Sequence, residues 1–187
     1  MQNVLEAPGV LDTILRLDID QYHRLCDSGI VPEKTELLEG VVVEKMGKSP
    51  LHSWTVGFLA EWFQSQLKQG LLLRVEQPLT LARSEPEPDL AVVVGSRGDF
   101  RNQHPGTAVL VVEVAITTVA IDSAKATVYG RAGIPEFWLV QPDVKKIIVF
   151  QNPGDAGYMQ TRSLDLESVL STSHCRLPLR LSDLFAE

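Results

Sequence analysis

Glu113 stands inside AVLVVEVA, residues 108–115, one of the most apolar stretches of the chain. A carboxylate in such a run is costly unless a counter-charge, a hydrogen bond or a metal satisfies it. Asp89 opens the preceding apolar run, DLAVVV, residues 89–94. The segment between them, GSRGDFRNQHPG, is polar and rich in turn-forming residues. If the two runs pair as antiparallel strands about Phe100–Asn102, Asp89 falls roughly opposite Glu113, and opposite residues share a face. Two carboxylates then converge at one sheet end, joined by Glu36 or Glu39 if the first hairpin approaches. Carboxylates gathered this way repel one another unless a cation lies between them, and hard oxygen ligands suit Mg²⁺ or Mn²⁺. One or two such ions can activate water and stabilise the charge that develops on a phosphodiester. Lys125 lies on the segment that follows, long enough to reach back to the strand end. An ammonium there would orient the attacking water and neutralise the transition state.

Each of these residues also has an ordinary reading. Asp89 is placed to cap a turn after Pro88. Glu113 could be a structural acid paired with an arginine, and Lys125 a surface lysine paired with Asp122 three residues earlier. Glu36 could be an exposed strand acid. His52, near a helix start, reads first as a packing or capping partner. Asp122 reads as a helix-starting residue or a partner of Lys125. Tyr129 shares a helix face with Lys125 and suits the core equally well.

The elements that must position these groups follow from pattern. Residues 18–29 suggest a short amphipathic helix starting after Asp18 or Asp20 and ending near Gly29. Residues 34–46 suggest two short strands around a tight turn at Glu39-Gly40. Ser49-Pro50 has the form of an N-cap followed by a proline in the first helical position. A stripe of Leu51, Trp54, Phe58, Leu59, Trp62, Phe63 and Leu67 then follows helical spacing up to Gly70, and such a stripe is expected to face the core. Residues 71–83 read as a strand that Pro78 confines to an edge or marks with a bulge. The two Val-rich runs read as buried strands. Residues 119–132 suggest a helix stopped at Gly133, with IPEFWLV and KKIIVF as strands about a turn at Gln141-Pro142-Asp143. A last strand pair and a short helix, SDLFAE, close the chain. The expectation is a mixed α/β or α+β domain spanning 1–187, with one central mixed sheet flanked by helices.

The formal charge is −7 over 187 residues. Proteins that hold DNA tightly generally present a basic surface to its phosphates. Affinity for nucleic acid is therefore expected to be weak, unless Arg97, Arg101, Lys125, Arg131, Lys145 and Lys146 gather at one cleft. The two cysteines, Cys26 and Cys175, lie in no CxxC pair and near no histidine at zinc-ligand spacing, so they read as reduced thiols. The start, MQNVLEAPGVLDT, carries no basic segment followed by a long apolar run. No window approaches the roughly 20 apolar residues of a membrane span. A cytoplasmic protein is expected, with edge strands that leave room for a homodimer.

Residues 112–140 read VEVAITTVAIDSAKATVYGRAGIPEFWLV. This run resembles the signature of the Uma-type restriction endonuclease family, long catalogued as a domain of unknown function and part of the PD-(D/E)xK nuclease superfamily. Glu113, Thr118, Asp122, Lys125, Tyr129, Gly133, Ile134, Glu136, Phe137 and Trp138 occupy the positions of that pattern. Pro88-Asp89 is similar to the family's P-D, and SPLH, with His52, is similar to its counterpart. TELLEG resembles the family's acidic hairpin and places its acid on Glu36 rather than Glu39. The resemblance covers roughly residues 18 to 155.

The resemblance implies a restriction-endonuclease-like core and Mg²⁺- or Mn²⁺-dependent endonuclease activity on DNA. It implies Asp89, Glu113 and Glu36 as metal-associated acids and Lys125 as the catalytic lysine. Two positions depart from the pattern. The wider superfamily usually carries its lysine two residues after the acid, where this chain has Ala115; a lysine on the following helix can place its ammonium in the same spot. Ile116 stands where relatives commonly have a polar residue. Two rival functions stay open: a non-catalytic binding or regulatory protein on the same fold, and a hydrolase acting on another phosphorylated substrate.

Overall fold

The computed structural model describes residues 4, 7–32 and 34–186. The sequence readings that touch residues 1–3, 5, 6 and 187 lie outside the described residues. In chain order the elements are α1 (Val10–Thr13), α2 (Ile19–Asp27), β1 (Thr35–Leu38), β2 (Val41–Glu44), α3 (Pro50–Gln66), β3 (Leu71–Val75), β4 (Leu90–Val94) and β5 (Leu110–Val114). There follow α4 (Val119–Arg131), β6 (Glu136–Gln141), β7 (Lys146–Gly154), β8 (Gly157–Leu164), β9 (Val169–Leu170), β10 (Leu179–Arg180) and α5 (Leu181–Leu184).

A six-stranded sheet of order β3-β4-β5-β6-β7-β8 forms the centre. Only β5 and β6 run parallel; α4 is the crossover between them. The other neighbours are antiparallel. This is the mixed sheet with flanking helices expected from the element order. Alternation along each strand divides the core into two layers. Leu90, Val92, Val112 and Trp138 face α3 and the C-terminal segment, with Leu59, Phe63 and Leu184. Ala91, Val93, Val111, Phe137 and Leu139 face the other way, toward Tyr129 and Ala126 of α4 and toward Leu79 and Leu81. Glu113 alternates with Val112 and therefore lies on the α4 side.

Helix α2 starts at Asp18, whose side chain accepts from Gln21 N–H while the Gln21 side chain accepts from Asp18 N–H, a reciprocal cap. β1 and β2 form a separate two-stranded sheet. Their turn residues Glu39 and Gly40 both have positive φ, 50° and 80°, as a two-residue hairpin loop of this type demands. Glycine is required at 40 for a second reason: a Cβ there would meet Arg16 Cβ at 2.6 Å and Leu17 O at 2.9 Å. The hairpin is tied to the body of the molecule through Leu37, which is fully buried and bonds Glu85 in both directions across the backbone.

Two sequence expectations are corrected. The strand expected over 71–83 ends at Val75, and Glu76 turns away with φ 51°. Leu79 and Leu81 lie buried in an irregular loop rather than in the sheet. Along α3, Leu59 and Phe63 reach the core, but Leu51 and Trp54 are 43% and 48% exposed. Leu51 and Trp54 line an open depression with Pro142, Leu184 and Phe185, which covers them only in part.

Candidate active site

Asp89, Glu113, Lys125 and Glu36 come together, each from a different element. The β4–β5 register pairs Leu90 with Val112, so the next step along the ladder sets Asp89 opposite Glu113, as the symmetric placement of the turn about residue 101 implied. Asp89 Oδ2 accepts the Val114 N–H at 2.8 Å. One carboxylate is thereby fastened to the residue immediately after the other. β1 supplies Glu36 from the hairpin, and α4 supplies Lys125 and Tyr129 one turn apart.

The Lys125 ammonium lies 2.8 Å from Glu36 Oε2 and 3.0 Å from Glu113 Oε1, with Asp122 Oδ1 at 3.7 Å. Tyr129 donates to the same Glu113 Oε1 at 2.6 Å. Among the described residues no hydrogen-bond donor falls on Glu113 Oε2. Asp122 is held by the Thr118 hydroxyl. Glu36, Asp89, Glu113, Asp122 and Lys125 are all below a tenth exposed. The ordinary readings of Lys125 as a surface lysine and Glu36 as an exposed strand acid do not survive that burial.

His52 and Lys48 complete the surroundings of Asp89. The His52 backbone N–H donates to Ser49 Oγ at 3.2 Å and caps α3, as its position suggested. Its ring also reaches the site, with Nε2 3.2 Å from Asp89 Oδ2. Lys48 Nζ lies 3.7 Å from Asp89 Oδ1 and 2.6 Å from Glu76 Oε1. The cleft above these groups holds about 120 Å³ and is also walled by Lys45, Met46, Ile116 and Ile121.

Four acids crowd this cleft against one buried ammonium. Burial raises the Glu113 carboxyl most of all, and the charges of Asp89, Glu36 and Asp122 add to that, so it is pushed up to about 8 despite Lys125. Burial likewise raises Glu36 and Asp122 above the usual carboxylate range. For Lys125 burial acts downward, but the charges of Glu113 and Glu36 outweigh it and hold the lysine above its ordinary range. The cleft therefore carries surplus negative charge with one firmly protonated lysine at its floor, a setting that attracts a further cation.

Of the basic residues considered for a nucleic-acid cleft, only Lys125 lines it. Arg131 pairs with Glu39 at 3.5 Å, and Arg101 and Lys145 line other depressions. The cleft lysines are Lys45 and Lys48, which the sequence reading passed over. Their signal was their place in KMGKSP, just ahead of an N-capped helix. A further acid, Glu136, is buried elsewhere. It accepts from Trp138 Nε1 at 2.7 Å and Thr172 Oγ1 at 3.0 Å, so its part in the signature run is structural.

The architecture matches a solved one. A crystal structure of "a putative nuclease belonging to DUF820 from Anabaena variabilis ATCC 29413" superposes with a TM-score of 0.75 over 91% of this chain and 98% of that one. At 19% identity the likeness establishes the fold. The family model "Uma2: Putative restriction endonuclease" matches residues 19–180. The chain belongs to the Uma2 family. No curated protein matches it.

Proposed function

We propose that this protein is a divalent-metal-dependent endonuclease that hydrolyses phosphodiester bonds in DNA. The observation that carries this reading is the convergence of Glu36 and Glu113 on the Lys125 ammonium, with Asp89 fastened beside Glu113 through the Val114 N–H, in one cleft. The donor set fits Mg²⁺ or Mn²⁺. It is all oxygen, it is short of positive charge, and Glu113 keeps Oε2 without a protein donor. Among the described residues no three His, Cys, Asp or Glu groups converge closely enough to enclose an ion. Asp89 and Glu113 would therefore hold it between them, with waters or substrate oxygens filling the rest, as Mg²⁺ sites commonly allow. Glu36 would support the site through its grip on Lys125 and through water.

A bound divalent ion would supply Lewis-acid stabilisation of the phosphoryl oxygens and a more acidic water. The chain's own residues do the positioning. Val114 N–H and His52 both act on Asp89 Oδ2, which turns Oδ1 toward the cleft. Tyr129 and Lys125 both act on Glu113 Oε1, which does the same for Oε2. Lys125, kept charged by two carboxylates, stands ready to neutralise charge on the phosphorane and to orient water.

The decisive test is cleavage of plasmid and linear DNA by the purified protein with Mg²⁺ or Mn²⁺, beside Lys125→Ala. Cleavage that disappears in the variant supports the reading. No cleavage with either metal, or equal cleavage by both proteins, contradicts it. One observation favours a non-catalytic binding role instead: Lys45 and Lys48 are already paired, with Glu87 at 2.8 Å and Glu76 at 2.6 Å. Mn²⁺ titration separates the two, because an intact site raises the melting temperature on binding metal. A panel including RNA and nucleotides separates the remaining alternative of another phosphorylated substrate.

A further inference from the structure

Arg74 is a second irregularity in the electrostatics, distinct from the cleft. It lies in β3 opposite Ala91 and is 6% exposed. A buried guanidinium normally has a carboxylate. Among the described residues Arg74 has none within ion-pair distance. It donates to His104 Nδ1 at 3.0 Å and to Pro78 O at 3.4 Å, lies over the Phe100 ring at 5.6 Å, and leaves Nε buried without a partner.

The Arg74–His104 bond fixes the imidazole. A guanidinium has no acceptor atom, so His104 Nδ1 must accept, and the proton of the neutral ring must sit on Nε2. Burial and the charge of Arg74 both hold His104 below the usual histidine range, which keeps that neutral tautomer. His104 thus presents an N–H donor backed by an uncompensated cation.

His104 lines a depression of about 610 Å³, together with Thr80, Arg101, Asn102 and Gln103. Of these side chains Arg101, Asn102, Gln103 and His104 offer N–H donors, Arg101 being one further cation, while the Thr80 hydroxyl donates to Glu85. Two acids, Glu85 and Glu87, are near enough for their charge to reach His104, and neither lines the depression: Glu85 is engaged at both oxygens, Oε1 with His23 at 2.7 Å and Oε2 with the Thr80 hydroxyl at 2.7 Å, and Glu87 pairs with Lys45 at 2.8 Å. The depression and the catalytic cleft share no residue.

We infer that this depression is an anion site for a phosphate group, bound through His104 Nε2–H and Arg101 and charge-compensated from behind by Arg74. The group is either the backbone phosphate of a nucleic acid or a free phosphate or nucleotide phosphate. The inference does not rest on the catalytic reading, since none of these residues takes part in it.

The test uses the full-length protein without divalent metal. Inorganic phosphate, a short single-stranded oligonucleotide and chloride at matched ionic strength are titrated separately, with binding read from histidine ¹⁵N–¹H NMR. The same titrations are run on Arg101→Ala and His104→Ala. Arg101 is exposed, so its variant keeps the fold even if the histidine variant does not. Expected are an Nε2–H tautomer for His104 in the free protein, a shift of its signal with phosphate but not chloride, and roughly tenfold weaker binding in Arg101→Ala. An oligonucleotide that competes with phosphate identifies the backbone source. Phosphate binding without competition identifies the free ion. A His104 signal that responds no more to phosphate or oligonucleotide than to chloride, or affinity unchanged in Arg101→Ala, overturns the proposal.

Discussion

Lys125 is charged in a place where burial alone would strip its proton, because Glu113 and Glu36 repay more than that loss. Its removal leaves two buried acids facing each other. Lys125→Ala is expected to lower cleavage by about 10²–10³-fold, the usual size of one lost transition-state donor, while retaining Mn²⁺ binding measured by calorimetry. The wild-type site also dictates a pH dependence. Glu113 sits at about 8 in the folded chain against an ordinary 4.5 when unfolded. A folded-state pKa raised above its unfolded value adds stability that is fully present below the unfolded pKa and is lost as pH rises through the folded one. Metal-free protein should therefore lose stability from about pH 4.5 to 8; Glu36 and Asp122 shift in the same sense. Lys125, raised, titrates above this window and does not offset it. Metal competes with the Glu113 proton, so Mn²⁺ affinity should climb by up to about tenfold per pH unit and level off near pH 8. A flat Mn²⁺ affinity between pH 6 and 8 would contradict the placement of Glu113 at the metal. The pairing of Asp89 with Glu113 was legible in the sequence because two apolar strands around one loop fix their own register, and Lys125 was legible as a long side chain on the helix that follows. Lys48 and the ring of His52 were not, because their approach to Asp89 depends on how α3 docks against the sheet, which no local pattern encodes.

At the scale of elements, the position of α4 decides whether Lys125 meets Glu113. Gly130 sets that position. A Cβ there would lie 2.5–2.7 Å from the Gly157 backbone at the start of β8, and a strand cannot yield as a flexible side chain does. Helix propensity alone would favour alanine by about 1 kcal/mol. Gly130→Ala should nevertheless destabilise by about 1–3 kcal/mol in urea unfolding, the range for overpacking, and should lower cleavage through displacement of Lys125 and Tyr129. Gly57 in the middle of α3 is the internal control, since a Cβ there meets nothing within 4 Å. Gly57→Ala should be neutral or stabilising by up to about 1 kcal/mol. Most elements were legible: the helix caps, the Glu39-Gly40 turn and the two Val-rich strands appear where the patterns placed them. The extent of β3 was not. Leu79 and Leu81 alternate as strand residues do, yet they bury from an irregular loop because Glu76 turns the chain away before Pro78. Trp54 shows the converse error: helical spacing says which residues share a face but not where the face runs out of partner.

For the molecule as a whole, the formal charge of −7 sets the terms on which a nucleic acid can bind. The cleft offers Lys45 and Lys48, both already paired, and a buried Lys125. Such a surface displaces few counterions. Binding of duplex DNA without metal should show a slope of log K against log salt of about −3 or shallower, read by fluorescence anisotropy; a slope near −8 would require more cations than line the cleft among the described residues. No helix among the described residues is long and apolar enough to cross a membrane. The expectations about cleavage and Mn²⁺ affinity hang on Asp89 and Glu113 holding a metal beside Lys125. Anomalous diffraction from a crystal soaked in Mn²⁺ tests that most directly. A manganese peak is expected in the cleft, ligated by carboxylate oxygens of Asp89 and Glu113, with Lys125 still at Glu36. A cleft without manganese, or manganese bound by other residues, would contradict it.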